Sequence, residues 1–253
     1  MKKIIIVFAI FASLNVVGWG VTGHRTIGFI AEQHLSKKAK KQVDRVLKRE
    51  SLAIVTTWMD EVRSDSAYDH AYTWHYVSIP DGETYKTSEK EPKGDIIQTI
   101  ERLTAELKKG GLDAKTETEH VKMLAHLIGD IHMPLHVGNG TDKGGNDVKL
   151  KYFWKDSNLH RVWDAGMIDG KSLSFTELAN SINTLSKEEV AKIQNSTVRD
   201  WANESMALRD ACYDIGEKKS INYKYDYKHW PTVQQQLLKA GLRLAATLND
   251  IYG

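Results

Sequence analysis

The chain has 253 residues, with 35 Lys and Arg against 33 Asp and Glu, a formal charge of +2, and a single cysteine, Cys212. That length fits one domain with a substantial core; the near-neutral charge advertises no basic surface for nucleic acid or anionic lipid, and one cysteine excludes an internal disulfide. Stability is therefore expected from packing and bound metal, with Cys212 as a small buried apolar residue.

The first 18 residues read as a secretory signal, with Lys2 and Lys3 ahead of the apolar stretch Ile4 to Val17, and Val16 and Gly18 suited to a cleavage site. The apolar run is too short for a membrane span, and no cysteine lies near the cut to take a lipid anchor. Cleavage after Gly18 makes residues 19–253 the mature domain, secreted or periplasmic, and leaves Trp19 with a free amine five residues before His24.

Helix signals dominate the remainder. Ser36 caps a stretch through Glu50 with Ala39, Val43, Val46 and Leu47 on one face, and Gly94 to Lys109 repeats the pattern. Glu117 to about Met133 reads as a further helix, Ser186 with Glu189 as a capping box, and Pro231 as the first turn of a long final helix. The one clear strand signal, Asp147 to Trp154, follows the Gly144-Gly145 turn and reads as one side of a small hairpin. Asp81 to Lys93 and Gly216 to Lys228 read as long surface loops; the Lys/Tyr alternation from Asn222 to Lys228 is either a solvated loop or a strand-binding surface.

Metal-type side chains concentrate in the second half. His126 and Asp130 stand at i and i+4 on one helix face, Pro134 then frees His136 from helical register, and His160 and Asp164 repeat the i, i+4 spacing. Asp60 and His75 each carry two readings: ligand, or, respectively, partner of Arg63 and satisfied core histidine. His132 points to a different face from His126 and reads as structural.

The ordered set Trp19-Gly20 with Gly23-His24, Trp58-Met59-Asp60 with Arg63, Trp74-His75-Tyr76, His126 through His136, Gly144-Gly145-Asn146 and His160-Arg161-Val162-Trp163-Asp164 resembles the S1/P1 nucleases, trinuclear zinc phosphodiesterases. The resemblance spans nearly the whole mature chain. It implies a mainly α, single-domain, multi-helix fold like that of zinc-dependent phospholipase C and P1 nuclease, with a small β-hairpin. It implies three Zn2+: one on Asp60, His75 and His126, a second on His136, His160 and Asp164, and a third on the Trp19 amine and carbonyl with His24, Asp130 bridging the first and third. Asp60, Asp130 and Arg63 would form the catalytic group, while Tyr76 would seat a base and Asn146 contact substrate, with a turn residue as the plainer reading of Asn146 and a structural ion pair that of Arg63. The position that is often acidic beyond Tyr76 holds Ser78 here, so no base preference is carried over.

Nitrogen and oxygen donors suit zinc. An α-amine, with a pKa near 8, offers its lone pair far more readily than a lysine. Three Zn2+ against three aspartates would leave about +3 in the cleft, enough to attract phosphate without a basic surface. The implied activity is hydrolysis of single-stranded DNA and RNA to 5′-phosphorylated nucleotides, with 3′-nucleotides as further substrates, by a monomer without a stable protein partner. The rivals are a zinc-dependent phospholipase C, which differs in a longer spacing to its first histidine and a glutamate as last ligand, and a secreted zinc-binding protein without turnover.

Overall fold

The computed structural model describes residues 19–253; the leader expected over residues 1–18 lies outside them. The first half of the chain runs α1 (Val21–Gln33), α2 (Lys37–Val46), α3 (Leu52–Val55), α4 (Trp58–Glu61), two 3₁₀ turns (Val62–Ser64 and Ser66–His75), β1 (Val77–Ser78), α5 (Ile96–Lys109) and α6 (Ala114–Asp130). A 3₁₀ turn, Pro134–His136, leads into β2 (Val137–Gly138), β3 (Lys149–Tyr152), β4 (Lys155–Asn158), α7 (Leu159–Arg161), the π turn Val162–Gly166 and α8 (Met167–Asp169). Helices α9 (Phe175–Ile182), α10 (Lys187–Gln194), α11 (Val198–Ala207) and α12 (Arg209–Cys212) precede β5 (Ser220–Ile221) and α13 (Tyr223–Tyr252).

The caps explain where the principal helices start. Ser36 accepts from Ala39 N, and Asp95 and Ser186 form capping boxes with Gln98 and Glu189. Ile96, Ile97, Ile100, Leu103 and Leu107 make the buried stripe of α5, as their spacing predicts. Helix α13 packs against α1, α2, α5, α6, α9 and α10, so the core closes around it.

Close backbone approach fixes α1. A Cβ at Gly28 would stand 2.6 Å from Ala53 Cα and 2.7 Å from Leu52 O, so α1 rests directly on the main chain of α3. A Cβ at Gly241 would likewise stand 2.6 Å from Ile30 Cβ, which seats α13 on the other flank of α1.

The sheets are small. β1 pairs in parallel with β2 through Val77↔Val137, and β3 pairs antiparallel with β4 and parallel with β5. The expected hairpin is present, with its turn at Phe153 and Trp154, both at positive φ.

Two segments differ from the sequence expectation. The final helix begins at Tyr223 rather than at Pro231, which lies inside it on an exposed position. Tertiary contacts hold the two preceding turns: Tyr225 donates its hydroxyl to Cys212 O at 2.5 Å, and Tyr152 donates to Asp226 Oδ2 at 2.8 Å. The Gly216 to Lys228 region is therefore loop, strand and helix in succession, with Tyr223 and Tyr227 exposed and Tyr225 buried. Nor is the surface uniformly neutral: Lys37, Lys38, Lys40, Lys41 and Arg45 are exposed along α2, a basic stripe that the net charge averages away. Cys212 is buried, as expected, and burial pushes its thiol well above its ordinary pKa.

A Gly28→Ala substitution must part α1 from backbone atoms that cannot rotate away. It should cost about 1–3 kcal/mol and lower Tm by roughly 2–4 °C per kcal/mol in thermal denaturation; an unchanged Tm would contradict the close packing.

Candidate metal centre

Helix α1 carries His24 in its first turn, α4 carries Asp60, and the second 3₁₀ turn ends on His75. The last turn and a half of α6 supplies His126 and Asp130, and the 3₁₀ turn after Pro134 supplies His136. His160 lies on α7 and Asp164 in the π turn that follows, so this i, i+4 pair straddles two helical forms rather than one regular face. A π turn places an extra residue in the spiral and re-aims the side chains that follow it, a device common at functional sites.

These eight side chains converge. Donor atoms of His24, His126 and Asp130, of Asp60, His75 and His126, and of His136, His160 and Asp164 lie within 4.8 Å of one another in each group. His75 Nδ1 is 2.9 Å from Asp130 Oδ2 and 3.1 Å from His126 Nε2. His24 Nε2 is 3.2 Å from Asp130 Oδ1, and the rings of His24 and His126 stack at 4.0 Å. The stack requires Gly129, where a Cβ would meet His24 Nδ1 at 3.0 Å.

Backbone carbonyls aim three of the imidazoles. His126 Nδ1 lies 2.7 Å from Thr56 O, His136 Nδ1 2.7 Å from His75 O, and His160 Nδ1 2.7 Å from Gly144 O. A carbonyl can only accept, so each Nδ1 carries a proton, which leaves Nε2 as the ring atom turned to the centre of the cluster and available to a metal ion. This is the outer shell that metal-binding histidines ordinarily have.

The donor set fits metal ions. Asp60 Oδ1, Asp130 Oδ1, Asp164 Oδ1 and His136 Nε2 are buried and complete no hydrogen bond. Burial opposes ionisation of His126, but the Asp130 and Asp60 carboxylates overcome it and raise its pKa to about 9. Burial alone would raise Asp130 as well; His126 and His136 outweigh it and hold the carboxyl well below its ordinary range. Burial, and behind it the charges of Asp130 and Asp60, pushes Asp164 well above. Buried acids driven in opposite directions beside inward lone pairs are what divalent cations satisfy together.

The remaining sequence candidates surround this cluster. Trp19 is fully buried, and Gly20 N donates to Asp164 O at 2.8 Å, which holds Trp19 and Gly20 beside the His136–His160–Asp164 group. Arg63 Nη1 is 3.7 Å from Asp60 Oδ1, and its guanidinium sits 5.6 Å from the centre of the Tyr72 ring. Tyr76 and Asn146 line a cleft of about 230 Å³ together with Ser78, Lys143, His136 and His160. The Asn146 amide donates to Lys143 O at 2.9 Å, so Asn146 also acts as a turn residue. His132 stands apart as expected: Nδ1 faces Ile128 O at 2.7 Å, and Arg243 Nη1 donates to Nε2 at 2.9 Å, which uses both ring nitrogens.

A family model described as S1/P1 Nuclease matches residues 19–253. The chain belongs to the S1/P1 nuclease family. Endonuclease 2 of Arabidopsis thaliana is 30% identical over all of this chain and 97% of its own length. Nuclease S1 of Aspergillus oryzae is 29% identical over 92% of each chain, and Nuclease P1 of Penicillium citrinum 26% identical over 93% of this chain and 98% of its own. The protein is thus a nuclease, with histidine and aspartate clusters able to hold metal.

The sequence marks Gly144-Gly145 as a turn ahead of the hairpin. The structure adds a reason for glycine: Gly144 has φ +60°, and a Cβ there would lie 2.2 Å from Leu135 O. Only glycine fits here, and so the Gly144 carbonyl can reach His160 Nδ1. Gly144→Ala should therefore displace the support of His160 and weaken affinity for a divalent metal about 10–100-fold, read by competition with a chromogenic chelator; unaltered affinity would show that the carbonyl does not orient a ligand.

Proposed function

We propose that this nuclease is an exported zinc enzyme that cleaves single-stranded DNA and RNA to 5′-phosphorylated nucleotides and also accepts 3′-nucleotides. One observation carries the reading: three groups of donors converge, and His136 and His160 of one of them line a cleft together with Tyr72 and Tyr76. Nitrogen and carboxylate donors without thiolate suit Zn2+ in an open, catalytic site. Asp60, His75 and His126 would hold one ion, His136, His160 and Asp164 a second, and His24 with the Trp19 amine and carbonyl a third, Asp130 bridging the first and third. Bound ions supply Lewis-acid stabilisation of phosphoryl charge and a nucleophile at neutral pH.

The chain's own residues do the rest. Arg63 offers a fixed cation at the edge of the Asp60–His75 group, where it can take a phosphate oxygen. Tyr76 offers a ring face on which any unstacked base can lie, and a duplex presents no such face, so the cleft selects open strands. Asn146 and Ser78 border the same cleft. Export is supported by the sequence of residues 1–18 and by the need for a free amine at Trp19; among the described residues no helix is long and apolar enough to cross a membrane.

The mature protein, given single-stranded DNA, RNA, a 3′-nucleotide and phosphatidylcholine with and without chelator, should hydrolyse the three nucleotide substrates and lose this activity with chelator. Hydrolysis of the lipid alone would point to a phospholipase, and no hydrolysis to zinc storage. A variant with one extra residue before Trp19 should bind two rather than three zinc ions by native mass spectrometry and lose about tenfold or more of its activity; three ions and full activity would exclude amine ligation.

A further inference from the structure

A second cleft adjoins the metal cluster on the other side of Tyr72. It encloses about 310 Å³ and is lined by Met59, Val62, Tyr68, Ala71 and Met123, with Arg63, Asp69, Tyr72 and His75 completing its wall. His75 belongs both to this wall and to the Asp60–His75–His126 group. Tyr72 is about half exposed and lines both clefts, so a single side chain divides this one from the cleft of Tyr76.

We propose that this cleft seats a second nucleobase, that of the nucleotide joined across the scissile phosphate to the one lying on Tyr76. The inference rests on the phosphodiesterase reading. A phosphate held at the cluster has a nucleoside on each side, and the two clefts open on either side of the same partition. Its walls suit a base of any identity. Tyr68 is fixed in place by edge-on packing against Trp58 at 5.3 Å and by donating its hydroxyl to Glu119 at 3.0 Å, so its ring is presented without freedom to rotate away. Met59 and Met123 supply polarizable, adaptable thioethers that take aromatic partners of differing outline. Arg63, stacked on Tyr72, stands at the junction of cleft and cluster and places its charge where the connecting phosphate passes. The volume lies at the lower end of small-molecule sites, which fits one base and its sugar rather than a longer segment.

The subsite separates two substrate classes. A 3′-nucleotide carries one base and engages one cleft, whereas a dinucleotide engages both. Binding energy from the second base is then available only to phosphodiesters, which raises their kcat/KM over the monoester at the same cluster.

The test compares thymidylyl-thymidine with two analogues in which one or other base is replaced by hydrogen on an abasic sugar. With the wild-type, zinc-loaded enzyme, each deletion should lower kcat/KM about tenfold or more. Two variants then locate the second base: Val62→Trp, which fills the cleft from the first 3₁₀ turn, and Ala71→Val, a smaller intrusion from the second. In each, the penalty for deleting one base should shrink toward unity while the penalty for the other persists, which also shows the variant to be folded and active. A penalty for only one base in the wild-type enzyme would overturn the second subsite, as would two penalties that neither variant alters. Failure to cleave any dinucleotide, with or without bases, would overturn the phosphodiesterase reading itself and the subsite with it.

Discussion

The imidazoles of His126, His136 and His160 each give an Nδ1 proton to a main-chain carbonyl, and much of the packing follows from what those carbonyls belong to. Thr56 ends α3, His75 ends the second 3₁₀ turn, and Gly144 lies in the turn before β3. None is a side chain that a substitution could supply elsewhere. The three segments have to dock at fixed height against α6, the 3₁₀ turn after Pro134, and α7 before the ring nitrogens face inward. Helix α3 is set by its direct contact with Gly28 of α1, which also brings His24 to the cluster. Packing of α1 and aiming of His126 are thus one constraint: moving the helix moves both a candidate ligand and the carbonyl behind another.

The turn that follows α6 is secured by a different kind of network. Burial and the adjacent Arg243 charge drive His132 down to a pKa of about 3, so it stays neutral and accepts from Arg243. Arg243 in turn pairs with Glu204 at 2.7 Å, and Gln236 donates to His132 O at 2.8 Å. These contacts tie the turn after Asp130 to α11 and α13, the two elements that close the core behind the site. Five histidines gather at the cluster with their donor atoms converging, while His132, in the middle of the same sequence motif, has neither nitrogen to spare. The distinction is made by partners, not by position along the chain.

Side-chain spacing made a large part of this legible in the sequence. The apolar stripe of α5, the Ser186–Glu189 box and the His126–Asp130 pair express local geometry, and local geometry is written in short-range patterns. What escaped depends on distant partners. Pro231 is an ordinary start signal, yet Tyr225 and Asp226 find Cys212 and Tyr152 and carry the helix back to Tyr223. Phe153 and Trp154 lack the Gly or Asn that a two-residue turn at positive φ usually requires; the turn is held by the Phe153 ring packing edge-on against Tyr223 at 4.7 Å. The segment from Asp81 to Lys93 is irregular as expected, but Tyr85 within it is buried and donates to Asp95, the residue that caps α5. At the site, the histidines and aspartates were visible as residue types, whereas the carbonyls that aim them, and the cleft formed by Tyr68, Met123 and Val62, have no signature a motif could carry.

The two clefts bear on how such a nuclease selects its substrate. Discrimination among bases needs buried polar groups aimed at base edges, because an unmet hydrogen bond is what rejects the wrong partner. Here Tyr76, Tyr68 and Tyr72 line the clefts with aromatic rings, Met59, Val62 and Met123 add apolar walls, and the Asn146 amide already donates to Lys143 O. Faces and apolar walls reward burial of a base without reading its edge. They do require that the base be unstacked, since both sides of a paired and stacked base are already covered. On the two-cleft proposal, selectivity for open strands and tolerance of sequence have the same physical origin, and neither needs a residue that recognises a particular base.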